Sequence, residues 1–249
     1  MINYTVSNKV ALIKLNRPEK RNALHPDLVQ EFKAKLRDAQ DDSNVSILII
    51  TGEGKSFCAG ADLSYLQNLE DYSTLENEED SKSLAELFLA VYNFPKPTIA
   101  AVNGAAIAGG CGLASVCDII AADQQHAKFG YSEVKIGFIP AIVSVFLIRK
   151  IGEGRARQLL LTGEIIDAER AFQLGFVNYL TENVHAFSFE LANQLLKNSD
   201  FSMQFTKKML NDVSQLPVEK AVEYCIQLNA ISRTSEDFKK GLASFLNKK

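Results

Sequence analysis

Three short segments, 46–51, 98–102 and 119–122, are nearly continuous runs of apolar residues. A strand with one wet face alternates polar and apolar residues, whereas an unbroken apolar run has to be covered on both faces, as in a parallel sheet layered between helices. Residues 10–15 add a fourth, alternating strand. Between the strands, Leu28, Val29, Phe32 and Leu36 repeat at helical spacing behind Pro26, and Leu84, Leu87, Phe88 and Val91 form a second stripe. Strands alternating with helices predict an α/β fold. After about residue 144 the pattern turns helical, over 145–150, 155–161, 168–174, 184–197, 201–213 and 218–246, with one short strand at Phe176-Val177. Residues 71–80 carry Asp71, Glu76, Glu78, Glu79 and Asp80 without an apolar stripe and read as a solvated loop.

The longest uncharged stretch, 98–117, has the length of a membrane span. Asn103 and four glycines (Gly104, Gly109, Gly110, Gly112) interrupt it, so no membrane partner is expected. Twenty-seven basic against thirty acidic residues give a net charge of -3 over 249 residues. Nothing in that balance draws the chain to nucleic acid, and an anionic ligand has to be met locally. Cys58, Cys111, Cys117 and Cys225 form no CxxC pair, and the first residues lack a signal peptide's basic and apolar regions, so a cytoplasmic protein is expected. His25, His126 and His185 have no ligand spacing, and no metal is expected. Gly-x-Ser-x-Gly is absent.

Two segments rich in small residues each follow a buried strand: Ser56 to Leu63, and Asn103 to Leu113. Small residues let backbone approach a ligand, and a helix starting at Gly109 or Gly110 would present unpaired N–H groups to negative charge. Two such loops can aim two donors at one oxygen, the arrangement an oxyanion requires. Tight helix–strand packing is the alternative for either loop alone. Gly104-x4-Gly109 lacks the lysine of a phosphate loop, because Gly110 and Cys111 follow it, and Gly110-Cys111-Gly112 sits mid-chain instead of opening a dinucleotide fold. Glu133 stands among Tyr131, Val134, Ile136 and Phe138, where desolvation would raise its pKa as an acid–base group requires; the other reading is a surface glutamate paired with Lys135.

Taken together, Phe57-Cys58-Ala59-Gly60-Ala61-Asp62-Leu63, Asn103-Gly104 to Gly109-Gly110-Cys111, Ser132-Glu133-Val134-Lys135-Ile136-Gly137 and Ile139-Pro140 resemble the enoyl-CoA hydratase/isomerase (crotonase) superfamily. Leu15-Asn16-Arg17-Pro18 through Asn22-Ala23-Leu24, and Gly241 through Lys248, extend the resemblance to almost the whole chain. It implies an α/β crotonase-like spiral of ββα turns over 1–190 and a C-terminal helical trimerisation region over 191–249, assembled as a homotrimer or a dimer of trimers. It also implies an acyl-CoA thioester substrate, with no cofactor beyond the coenzyme A that enters with it. The enolate oxygen would rest on the N–H groups of Ala61 and Gly109, with Glu133 at the reacting carbons. Coenzyme A would lie along Ala59, Ala61, Asp62, Leu63 and Gly110, with Lys20 or Arg21 meeting phosphate and Phe245 and Lys248 of a neighbouring subunit closing over it.

One position departs from the pattern. Hydratases of the family commonly carry two glutamates, and the first would stand where this chain has Gly112. A single base suits a Δ3,Δ2-enoyl-CoA isomerase in which Glu133 is the sole proton shuttle. The run from Ser132 to Ser144, together with Gly112, is similar to a bacterial subgroup assigned as methylglutaconyl-CoA hydratases of leucine breakdown. The expected function is therefore enoyl-CoA hydration, on 3-methylglutaconyl-CoA, with the isomerase as the alternative. A non-catalytic binder of CoA esters or RNA is a third reading, for which Lys239-Lys240 and Lys248-Lys249 make only a short basic segment near Glu236 and Asp237. Hydration would require Glu133 to position water and return a proton itself, with a second ordered water in the space Gly112 leaves.

Overall fold

The computed structural model describes residues 1–68 and 71–246. The chain opens with a hairpin of β1 (Ile2–Ser7) and β2 (Val10–Leu15), turned by Asn8 and Lys9 at positive φ. There follow α1 (Pro26–Asp41), β3 (Ile47–Gly52), β4 (Ser56–Cys58), α2 (Leu63–Asn68) and α3 (Thr74–Tyr92). The middle of the chain supplies β5 (Thr98–Val102), β6 (Ala105–Ile107), α4 (Gly109–Ser115), β7 (Ile119–Asp123) and β8 (Lys128–Gly130). The last part contains α5 (Ala141–Ile151), α6 (Glu153–Thr162), β9 (Ile165–Asp167), α7 (Ala168–Gln173), β10 (Tyr179–Thr181), α8 (Val184–Leu195), α9 (Asp200–Val213), α10 (Val218–Thr234) and α11 (Glu236–Leu246).

Two sheets result. The larger runs β1-β2-β3-β5-β7-β10 and is parallel apart from the β1 hairpin; the smaller runs β4-β6-β8-β9, with only β9 antiparallel. The apolar runs are explained by where alternate residues go. Leu48, Ile50, Ala100, Val102 and Ile120 join the core shared with α1 and α3, whereas Ile47, Ile49, Ile99, Ala101 and Ala121 face a second core closed by Val184, Leu191 and Ala192 of α8.

Four expectations change. Residues 74–80 are not a loop: α3 starts at Thr74, because Ser73 caps it and Glu76 reaches back to the Ser73 N–H at 2.8 Å, a capping box that sustains exposed first turns without an apolar stripe. The strand near Phe176-Val177 lies at Tyr179–Thr181 instead, since Phe176 and Val177 are buried in the main core after α7. The span 218–246 is two helices, interrupted where Ser235 turns extended (ψ 147°) and its Oγ accepts from Phe238 N. The boundary expected at 190/191 falls inside α8, whose Leu191 and Ala192 belong to the core; Met203 of α9 still packs against it.

α9 is docked by Lys207, which donates to Asp118 Oδ2 at 2.7 Å and to the Lys96 carbonyl at 3.2 Å. Beyond it, α10 and α11 bury no residue, and Val218, Val222, Ile226, Leu242 and Phe245 are exposed. None of the described helices is long and apolar enough to cross a membrane.

Candidate active site

The smaller sheet builds the site. β4, β6 and β8 are parallel neighbours, with Cys58 opposite Ala106 and Ile107 opposite Gly130. Their carboxyl ends therefore bring Ala59-Gly60-Ala61, Ala108-Gly109 and Tyr131-Ser132-Glu133 to one edge, the place where α/β sheets receive ligands. The first two loops touch. Gly60 has φ +88°, and a Cβ there would sit 2.8 Å from the Ile107 carbonyl oxygen and 3.4 Å from Gly109 N. At Gly110 a Cβ would run into the Cys58 carbonyl.

Among the described residues, two backbone donors at this edge have no partner. Leu24 bridges to the Ala61 segment by donating to the Gly60 oxygen (2.7 Å) and accepting from Asp62 N (2.9 Å), so the Ala61 N–H faces away from it. Gly109 is the first residue of α4, and its N–H has no partner within the helix. It is aimed by Ala108, which is held at φ 51°, ψ -121°, a region that disfavours any side chain. That conformation is enforced from both sides: Ala108 N donates to the Gly130 oxygen at 2.7 Å, and Gly112 N donates to the Ala108 oxygen at 2.9 Å. Strain of this kind persists only where the surroundings over-determine it.

Glu133 opens the 3-10 turn Glu133–Ile136, and its carbonyl accepts from Phe138 N at 3.0 Å. Its side chain is buried, Oε2 makes no hydrogen bond, and burial raises the carboxyl pKa above the usual glutamate range. No ion pair joins it to Lys135 among the described residues. A carboxyl that exchanges its proton nearer neutrality is what acid–base catalysis calls for. The rim beside it is apolar and exposed, from Ile136, Phe138 and Ile139 to Leu63 across the edge.

The corner at Gly112 corrects the expectation of a second water. A Cβ on Gly112 would collide with Val143 Cγ1 and lie 3.3 Å from Phe88 Cε2, so α5 and α3 fill that space with hydrocarbon. Gly112→Ala should cost about 2 kcal/mol through overpacking. In a Val143→Ala background that loss should shrink to near zero, a non-additivity that chemical denaturation of the two single variants and the double variant measures.

The remaining expected residues divide. Asp62 is buried and occupied: Ser64 Oγ donates to Oδ1 at 2.5 Å and Arg17 Nη2 to Oδ2 at 2.9 Å, and these contacts hold its carboxyl down at about 2. Its carboxylate anchors the loop while its backbone borders the site. Lys20 and Arg21 are exposed, and the Arg21 carbonyl accepts from Ala59 N at 3.0 Å, which sets both cations beside the β4 loop. Asn22, fully buried, ties this turn to the end of β3 by donating to the Glu53 and Ser56 carbonyls at 2.9 and 2.7 Å. Phe245 is exposed on α11, away from any described contact with the site, and Lys248 lies outside the described residues. Arg17, Asn22, Ala108 and Val143 shape the site without having been singled out from the sequence. All four lie in segments already named, Arg17 and Asn22 in the N-terminal motif, Ala108 in the second small-residue segment and Val143 in the run from Ser132 to Ser144, but their individual roles come from packing. No three His, Cys, Asp or Glu side chains among the described residues gather as a metal site would require.

This edge brings two backbone donors and one buried carboxyl to the ends of neighbouring strands. A family model described as Enoyl-CoA hydratase/isomerase matches residues 5–249. The chain belongs to the enoyl-CoA hydratase/isomerase family. A crotonyl-CoA hydratase of Syntrophomonas wolfei is 37% identical over 245 residues, covering 97% of this chain and 93% of that protein. The 2,3-dehydroadipyl-CoA hydratase of Escherichia coli is 32% identical over 244 residues, with 97% and 93% covered. The crystal structure of an enoyl-CoA hydratase from Shewanella pealeana superposes with a TM-score of 0.94 at 32% identity, covering 100% of this chain and 94% of that one. This member of the hydratase/isomerase family thus has the crotonase fold, and its relatives' names mark it as an enzyme of hydratase/isomerase type.

Proposed function

We propose that the protein hydrates a 2-enoyl-CoA thioester through an enolate, with the Ala61 and Gly109 N–H groups holding the thioester oxygen and Glu133 handling the proton and the water. The observation that carries this reading is Glu133 itself, a buried carboxyl with an unpartnered oxygen at the edge where both free donors emerge. Two donors on one oxygen stabilise charge that develops only in the transition state, each contributing on the order of 3 kcal/mol. Coenzyme A arrives with the substrate and no other cofactor is needed. Lys20 and Arg21 supply cations for its phosphates. The relatives named as hydratases favour hydration, and the motif running through Ile139-Pro140 to Ser144 favours 3-methylglutaconyl-CoA within that class, and with it leucine breakdown in the cytoplasm. The exposed apolar residues of α10 and α11 favour a homotrimer or dimer of trimers, in which a neighbour's Phe245 and Lys248 close over the CoA.

The filled corner at Gly112 favours the second reading, an isomerase in which Glu133 moves one proton between two carbons. Product masses separate the two. Protein incubated with 3-methylglutaconyl-CoA, crotonyl-CoA and a 3-enoyl-CoA in doubly labelled water, with Glu133→Gln as control, should give a product heavier by one labelled water. Deuterium uptake without added oxygen would assign the isomerase. No reaction with any thioester would reject both.

A further inference from the structure

The Ala61 segment is joined to the N-terminal turn by an isolated bridge. Leu24 N donates to the Gly60 oxygen at 2.7 Å, Asp62 N donates to the Leu24 oxygen at 2.9 Å, and among the described residues no ladder continues the pairing on either side. A one-residue bridge has no neighbouring rungs to resist tilting of the Ala61 peptide, whereas a donor weakens steeply once it points off line. Arg17 supplies the missing rung. Its Nη1 donates to the carbonyl of Ala23, next to Leu24, at 2.8 Å, and its Nη2 donates to Oδ2 of Asp62, next to Ala61, at 2.9 Å. One planar guanidinium thus spans both sides of the bridge, a fork that an ammonium group cannot reproduce. The other carboxylate oxygen accepts from Ser64 N at 3.0 Å, so Asp62 also caps α2. The pair is sheltered, with 14% of the Arg17 side chain and 5% of the Asp62 side chain exposed, and salt screens it little. Arg17 is fixed in turn by its own loop: Arg17 N donates to Asn22 Oδ1 and Asn22 N to the Arg17 oxygen, both at 2.9 Å, with Arg21 and Asn22 at φ 52° and 57°. Left-handed backbone at two successive non-glycine residues is kept where the surroundings over-determine it.

We propose that Arg17 and Asp62 are positioning residues for the oxyanion donor: their cross-link over the Leu24 bridge sets the direction in which the Ala61 N–H points at the thioester oxygen. This rests on the reading that the Ala61 N–H holds that oxygen. Neither side chain touches the reacting atoms in this role. With both terminal nitrogens engaged inside the chain, Arg17 is not offered to a phosphate, unlike the exposed Lys20 and Arg21.

The test is Arg17→Met, which keeps an unbranched stem and removes both donors, read with butyryl-CoA carrying a 13C label at the thioester carbonyl. That ester has no double bond, so neither hydration nor double-bond migration consumes it. Isotope-edited infrared difference spectra at saturating ligand report how strongly the carbonyl is polarised, whether or not any substrate turns over. Wild type should lower the carbonyl frequency relative to free ligand, and most of that shift should be lost in Arg17→Met. On the enoyl-CoA that the protein turns over, kcat should fall by about tenfold to a hundredfold with KM within about threefold, the pattern of an interaction realised in the transition state. Asp62→Asn keeps an oxygen for Ser64 but turns an amide N–H toward the guanidinium. It should show the same loss, and the double variant no more than either single one. Should Arg17→Met not fold, Arg17→Lys carries the same reading, since it keeps the charge, reaches only one acceptor and should lose part of the shift. A wild-type shift in the folded variants, or losses that add in the double variant, overturns the proposal and leaves the functional reading standing. No shift in the wild type overturns both, because the site then holds no polarising donor to aim.

Discussion

Glu133→Gln is expected to lower turnover by about a thousandfold while CoA-ester affinity changes by no more than a few-fold. Glutamine has nearly the same shape and can occupy the same buried place, but it can neither accept nor return a proton. Steady-state kinetics on the enoyl-CoA and binding of a non-reacting acyl-CoA measure the two halves separately, and turnover within tenfold of wild type would remove Glu133 from its role. The wild-type pH profile follows from the same burial. Burial disfavours the ionised form, so the pKa is raised. In the direction that removes a proton from carbon, the ionised form is needed, and activity should fall as pH drops through a midpoint above the ordinary glutamate value. That limb should vanish in the variant. Because burial raises the folded pKa above the unfolded one, the destabilisation is full above the folded pKa, shrinks as pH falls through it, and vanishes only below the unfolded value. Glu133→Gln should therefore melt higher than wild type at pH 8 and no higher at pH 4, by calorimetry.

Removing the Ala61 N–H should lower kcat by about a hundredfold to a thousandfold, the usual loss for one oxyanion donor. Ala61→Pro is the simplest form, since proline has no N–H. Proline also restricts Gly60, which sits at φ +88°. An ester in place of the 60–61 amide, made with an α-hydroxy acid, removes the hydrogen without that restriction and is the cleaner variant. Because the Ala61 N–H is not used in the Leu24 bridge, stability should change little. Full activity in a folded ester protein would take this N–H out of the site.

What the sequence discloses follows from how each element is stabilised. β3, β5 and β7 could be read directly because both faces are covered, which leaves an apolar run no helix stripe would produce. β4, β6, β8 and β9 have three residues each, too few to display a period, so the sheet that assembles the site was visible only as the glycine loops at its ends. The start of α3 depended on a side-chain cap at Ser73, and the break at Ser235 on another. Both are local signals that charge-rich surroundings obscure. Glu133, Ala61 and Gly109 could be named because acid–base and anion chemistry narrow the residue types and the family resemblance fixed the positions. Val143 could not be found that way. It fills the space beside Gly112 from a distant helix, and only tertiary packing brings the two together.

The brevity of β4, β6 and β8 has a kinetic consequence. A three-residue strand has no independent stability, and each of these pairs with a partner far along the chain, so loop closure has to be complete before the pairing contributes anything. The two donors and the carboxyl thus exist as a constellation only after the larger sheet and its helices are in place. Phe57, Cys58, Ala106 and Phe129 of these strands belong to the main core, so the step that assembles the site is also the step that closes the core. The site and the core therefore form together, and a chain that lacks one lacks the other.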